Sequence, residues 1–283
     1  MTDFQPQTGF LDVQGAPLYY EIAGTGHPLL LIHAGVADSR MWDQQFQTFA
    51  QHYQAIRYDL RGFGQSSVPA SPFANHKDTF ALLEHLGIKQ AHVIGISFGG
   101  LVALDFTLAF PEKVTALVLG APDVSGRQSS SADIQRFAKE EEALLEQGDL
   151  EGATELNLRM WVDGPRRTPD QVDPTVRQRI YEMQYHAFTV PIPNEAEALP
   201  LEPPAVARQA EIHVPTLLII GEYDIPDKHE LVEQLALEIP NAKLIVIPGA
   251  AHIVNMEQPA EFNRVVLEFL RRAPHRKSHS HMV

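Results

Sequence analysis

Six short apolar runs constrain this chain more than anything else in it: PLLLIHA, YQAIRYDL, AHVIGI, VTALVLG, VPTLLIIG and AKLIVIPG. None alternates apolar with polar residues, and most are closed by Gly, Pro, Asp or Ser. Unalternated runs of this length suit strands buried on both faces, as in a parallel sheet covered by helices. Helical segments lie between them. Phe262, Val265, Val266, Phe269 and Leu270 follow the spacing of a single apolar stripe. Residues 101–110 are apolar nearly all round and stop at Pro111, which predicts a buried helix packed on the sheet. Two further strands are expected at 10–13 and 18–22, ahead of this rhythm. The prediction is an α/β fold with a mostly parallel central sheet flanked by helices.

The alternation is interrupted once. Residues 124–207 hold no convincing buried strand, but do hold charge-rich helical segments such as DIQRFAKEEEALLEQ. This span carries 15 acidic and 8 basic residues, half of the net charge of −14 in the whole chain. It reads as a helical cap inserted between core segments 1–123 and 208–272, ending in a proline-rich connector, PIPNEAEALPLEPP. The last residues, 273–283, have no apolar periodicity and read as a disordered tail. An acidic balance speaks against nucleic acid and anionic membrane as partners. No cysteine is present, so disulfides, thiolate metal sites and cysteine nucleophiles are excluded. The first ten residues lack the pattern of a secretory signal, and no apolar run is long enough to span a bilayer. The expectation is a soluble, cytoplasmic monomer or homodimer.

The chemistry concentrates at Gly95-Ile96-Ser97-Phe98-Gly99. A strand leads into this pentapeptide and a helix leaves it, so the serine occupies a sharp turn where bulky neighbours would collide. Its hydroxyl would be exposed at a helix N-terminus, whose dipole favours developing negative charge. A serine hydroxyl needs a base, and the base needs an orienting acid. LLIIGEYD places Asp224 just past one strand, and LIVIPGAAH places His252 just past the next. Loops at the carboxyl ends of parallel strands share one edge of the sheet, so Ser97, Asp224 and His252 can converge. Asp123, which ends the preceding core strand, is the alternative acid, while Asp227 is better used as a helix cap. The oxyanion donors are expected to be the backbone N–H groups of Phe98 and Gly35, with His33 anchoring the Gly35 loop.

Other chemistries leave no trace. Gly24-Thr25-Gly26 and Gly62-Phe63-Gly64 lack the third glycine of a dinucleotide fingerprint, and no phosphate loop or metal-ligand spacing occurs. No cofactor and no metal is implied. The motifs HAGVADSRMWD, YDLRGFGQS, GISFGG, GEYD and GAAHIVNMEQP together resemble the α/β-hydrolase superfamily, and within it the small bacterial esterase- and lactonase-like branch. The resemblance spans residues 18–271. It implies a sheet of eight strands, a cap after the sixth, and structural rather than catalytic roles for Asp59 and Arg61. Because the nucleophile is serine, the likeness to dehalogenases and epoxide hydrolases of this fold stops at the fold. Ile96 and Ala34-Gly35-Val36 fit the carbon–carbon hydrolases poorly, and His33-Ala34 stands where many relatives have His-Gly.

The expected function is hydrolysis of carboxylic esters or lactones through an acyl-serine. Enol-lactone or carbon–carbon hydrolysis, perhydrolysis, and ligand reception with a retained triad stand as alternatives. Met160, Trp161, Ile253 and Val254 are candidate pocket residues. An apolar cleft under an acidic lid should favour neutral substrates over free carboxylates. Arg166 and Arg167, which could reverse that preference, are expected in an exposed loop.

Overall fold

The apolar runs form the parallel part of one sheet in a computed structural model that describes residues 5–129 and 131–273. The strands are β1 (Gln7–Val13), β2 (Ala16–Ala23), β3 (Pro28–Ile32), β4 (Gln54–Tyr58), β5 (Ala91–Ile96), β6 (Val114–Gly120), β7 (Thr216–Gly221) and β8 (Ala242–Ile247). They lie side by side in the order β1-β2-β4-β3-β5-β6-β7-β8. β2 runs antiparallel to both β1 and β4, and every later pairing is parallel. The two early strands alternate in burial because they form the open end of the sheet, whereas β5 and β7 are buried at every residue.

Side chains of successive residues point to opposite faces of a strand, so each central run feeds two cores. Leu29, Leu31, Ile94, Ile96, Leu217 and Ile219 pack with α1 (Asp43–Phe49) and α9 (Pro259–Leu270). Leu30, Ile32, Val93, Leu117 and Leu218 pack on the other face with α2 (Asn75–His85), α3 (Phe98–Ala109) and α7 (Pro226–Glu238). The apolar stripe expected near the C-terminus is the buried face of α9, with Phe262, Val265, Val266 and Leu270 inward. A four-residue helix, α8 (Val254–Glu257), precedes it. The residues from 274 onward, where a tail was expected, lie outside the described residues.

Between β6 and β7 the chain forms α4 (Ala132–Glu146), α5 (Leu150–Asn157) and α6 (Pro174–Thr189), with a π-helical turn at Leu158–Asp163. Leu158, Val162, Ile180 and Met183 continue the core formed with α1 and α9. Polar contacts fasten this segment at its edges. Arg179 of α6 pairs with Asp43 of α1, and His186 Nε2 bonds the Gly64 carbonyl at 2.9 Å. The proline-rich connector is extended, and its Glu197–Ala198 pairs with Pro72–Phe73 of the core. Among the described residues no helix is long and apolar enough to cross a membrane.

Candidate active site

The turn from β5 into α3 is as tight as the glycines imply. Ser97 sits at φ 54°, ψ −117°, a conformation that non-glycine residues adopt only where surrounding structure imposes it. A Cβ at Gly95 would lie 2.1 Å from the Gly99 carbonyl oxygen, and one at Gly99 would lie 2.4 Å from those of Ile32 and His33. Strand and helix can therefore cross only where both positions are bare. The Ser97 backbone is fixed on both sides, its N–H donating to the Gly120 carbonyl at 2.8 Å and its carbonyl accepting from the Asp123 N–H at 3.0 Å.

Asp224 follows β7 and His252 follows β8, and both are buried. His252 Nδ1 lies 2.8 Å from Asp224 Oδ2, while Oδ1 of the same carboxylate accepts from the Ile225 N–H at 2.8 Å. An ionised carboxylate only accepts, so Nδ1 carries the proton and Nε2 is left as the basic nitrogen. Nε2 is buried and has no hydrogen-bond partner among the described residues. The Ser97 hydroxyl is not hydrogen-bonded to it. The Trp161 ring lies against the imidazole, with centroids 4.8 Å apart.

Ser97 opens into a cavity of about 540 Å³ that Gly35, Phe98, Asp123 and Trp161 also line. The Phe98 N–H, the first of α3, has no acceptor within its helix. Gly35 faces Phe98 closely, since a Cβ there would lie 3.3 Å from the Phe98 Cβ. Beneath this loop His33 Nδ1 donates to the Ala34 carbonyl at 2.8 Å, and Nε2 accepts from the Leu60 N–H at 2.9 Å. Burial lowers the His33 pKa, which keeps that acceptor free. Asp59 accepts from the N–H groups of Ser39 and Gln65, both at 2.8 Å, and Arg61 chelates Asp78, so both hold loops in place.

The carboxylate of Asp123, the alternative acid, pairs with the buried Lys228 ammonium and not with His252. Several expectations require correction. Asp227 does not cap α7; it accepts from Arg127 at 2.9 Å and from Ser129 Oγ at 2.8 Å. Ile253 and Val254 are wholly buried in the core with α9, because the chain turns into α8 directly after His252. Met160 does not line the Ser97 cavity but an adjoining groove, with Leu156 and Pro226.

Arg166 is exposed as expected, but Arg167 is not. Its guanidinium pairs with Glu257 at 2.6 Å, the two side chains being 9% and 4% exposed. It also donates to the carbonyls of Val162 and Asp163 at 2.7 and 2.9 Å and stands 5.5 Å from the Tyr223 ring. Glu257 in turn accepts from the N–H of Ala251, the neighbour of His252, at 2.8 Å. Burial pushes the Glu257 carboxyl above its ordinary value in spite of Arg167. Sequence reading missed this link, since its partners are brought together only by tertiary structure. No group of three metal-ligating side chains occurs among the described residues.

Comparison with known proteins agrees with this architecture. Residues 27–259 match the model of the alpha/beta hydrolase fold family. The chain is similar to 3-oxoadipate enol-lactonase 2 of Acinetobacter baylyi, 28% identical over 267 residues that cover 93% of this chain and 96% of that one. It is also similar to the carboxylesterase YbfK of Bacillus subtilis, 25% identical over 257 residues that cover 86% and 79%. The crystal structure of a hydrolase from Pseudomonas aeruginosa superposes with a TM-score of 0.75 at 28% identity, covering 93% of this chain and 98% of that one. With the family match running from β3 to the start of α9, the chain belongs to the alpha/beta hydrolase fold family, and it is a hydrolase.

Proposed function

We propose that this hydrolase is a serine esterase of carboxylic esters, lactones included as their cyclic form, with Ser97, Asp224 and His252 as its catalytic triad. One observation carries the reading: Asp224 holds His252 Nδ1 at 2.8 Å and leaves Nε2 without a partner, while Ser97 occupies a strained turn. Ser97 Oγ attacks the ester carbonyl carbon as its proton passes to His252 Nε2. The resulting oxyanion accepts from the N–H groups of Gly35 and Phe98. Collapse breaks the bond to the alcohol oxygen, which takes the proton from Nε2 and leaves an acyl-serine. Water then attacks by the same route and releases the acid and free Ser97. Residues 124–207 act as the cap over this site, with Trp161 as its contact to the base, on a core of residues 1–123 and 208–272.

The test is labelling with a fluorophosphonate probe alongside a panel of p-nitrophenyl esters and lactones. Wild type should be labelled at one serine and turn over esters, and Ser97→Ala should lose both with an unchanged circular dichroism spectrum. Labelling that persists at another serine would overturn the assignment. Tight retention of a ligand with negligible turnover would point to a receptor instead.

A further inference from the structure

The wall of the Ser97 cavity farthest from the sheet is built by α4, α5 and α6, and its chemistry is one-sided. Phe137, Trp161 and Phe188 give it aromatic rings, the first two meeting edge to face at 5.5 Å. Glu141 follows Phe137 by one turn of α4 and so shares its face. It is half-buried, accepts from Asn157 Nδ2, and forms no ion pair among the described residues. Asn157 spends its two amide hydrogens on Glu141 and on the Ala153 carbonyl, leaving its own Oδ1 as an acceptor. Gln184 of α6 lines the same wall at 4% exposure, and its Oε1 has no hydrogen-bond partner. Three helices thus bring polar groups to this wall, and one of them is a carboxylate with no ion pair among the described residues.

Nothing in the cavity offsets this. Its other carboxylate, Asp123, is already neutralised by Lys228. Arg61 is the one cationic residue in its lining among the described residues, and all five of its N–H donors are committed. Nε and Nη2 bind Asp78 at 3.0 and 3.2 Å. Nη1 binds the carbonyls of Ala16 and Ser67 at 2.8 and 3.2 Å, and Nη2 binds that of Val13 at 3.0 Å. Arg167, the remaining candidate for an anion clamp, is held by Glu257. A substrate carboxylate would find neutral N–H donors but no unpaired cation in this lining among the described residues. An ammonium group would find a carboxylate, two amide oxygens and aromatic faces.

We propose that this wall binds a primary ammonium group, so that the preferred substrates are esters carrying such a group across an apolar spacer from the reacting carbonyl. The inference rests on the esterase reading and adds the substrate class. The experiment compares methyl esters of unbranched ω-amino acids of four to eight carbons with alkanoates bearing a methyl group in place of the ammonium. The readout is the ratio of kcat/KM within each pair, with p-nitrophenyl acetate as a separate substrate. At the spacer that spans the cavity the ammonium ester should be preferred by about tenfold or more, the size of one charge-assisted hydrogen bond. Glu141→Gln should bring that ratio close to one, and Gln184→Leu should lower it. If p-nitrophenyl acetate is hydrolysed but the alkanoate is preferred at every length, this inference fails alone. The same holds if the ammonium preference survives both substitutions. Loss of all ester hydrolysis in the wild type overturns the esterase reading and this inference together.

Discussion

Arg167→Leu removes one half of a buried ion pair and should be among the most costly single substitutions outside the central sheet. Arg167 and Glu257 are 9% and 4% exposed, so the carboxylate left behind cannot be rescued by water and keeps only the Ala251 N–H. Breaking such a pair costs about 3–5 kcal/mol. At the unfolding entropy of a protein of this size, about 2 °C per kcal/mol, the midpoint should fall by about 6–10 °C. The pH dependence has a definite sign. Burial already holds the Glu257 carboxyl above its ordinary value, and losing Arg167 raises it further. A carboxyl that keeps its proton longer when folded stabilises the fold most at low pH. That stability is lost as pH rises from the unfolded value toward the folded one. The deficit of Arg167→Leu should therefore be larger at pH 8 than at pH 5. Arg167→Leu with Glu257→Gln should recover much of it, because glutamine still accepts from Ala251 N–H without a buried charge. Urea denaturation of the four proteins of this cycle at both pH values gives the coupling directly. A cost below about 1 kcal/mol, an additive double variant or an identical loss at both pH values would refute the reasoning. Since Glu257 braces the residue before His252, kcat for a p-nitrophenyl ester should fall more than KM changes.

Three further outcomes are expected. Asp224→Asn should lower kcat by about 10⁴, the scale for a triad aspartate, whereas Asp123→Asn should cost far less; steady-state rates in the reverse order would move the acid to the loop after β6. Gly99→Ala sets a Cβ 2.4 Å from two backbone oxygens and should cost more than about 3 kcal/mol; a variant that melts within about 2 °C of wild type would contradict the packing described at the turn. Asp105, bonded to Ser125 Oγ at 2.6 Å, has its pKa pushed up by burial to about 6. The wild type should therefore lose stability, on the order of 3 kcal/mol, between about pH 4 and pH 6. Asp105→Asn should flatten that slope in thermal melts, and an unchanged slope would place the titration elsewhere.

What could be read without coordinates was whatever a short stretch of chain decides for itself. The runs that became β3 to β8 are locally unambiguous. Ser97, Asp224 and His252 each follow the end of a parallel strand, so the sheet brings them to one edge without further information. The pocket was less legible. Met160 and Trp161 are neighbours on a π-helical turn, where the usual helical period does not say which one faces inward, and only Trp161 reaches His252. Ile253 and Val254 adjoin His252 in sequence but belong to the core, because direction after a turn is set by packing. Glu141 and Gln184 look like ordinary solvated positions on amphipathic helices until a second layer covers them. The ion pair of Arg167 with Glu257 joins residues on opposite sides of β7 and β8, a distance that no local pattern spans.

The insertion between β6 and β7 also dictates when the molecule can become whole. Leu117 of β6 lies beside Thr216 of β7, although α4, α5 and α6 are all made between them. During synthesis the first six strands emerge with the outer edge of β6 unpaired, a row of apolar residues open to any other extended chain. That edge is covered only after roughly a hundred further residues have left the ribosome, and such distant pairings form slowly. Asp224 and His252 arrive later still. A chain released before β7 would hold Ser97 and its strained turn but neither Asp224 nor His252, and would present a sticky edge in place of a finished sheet. Completion of the sheet and completion of the proposed triad are therefore the same late event in the life of each new molecule.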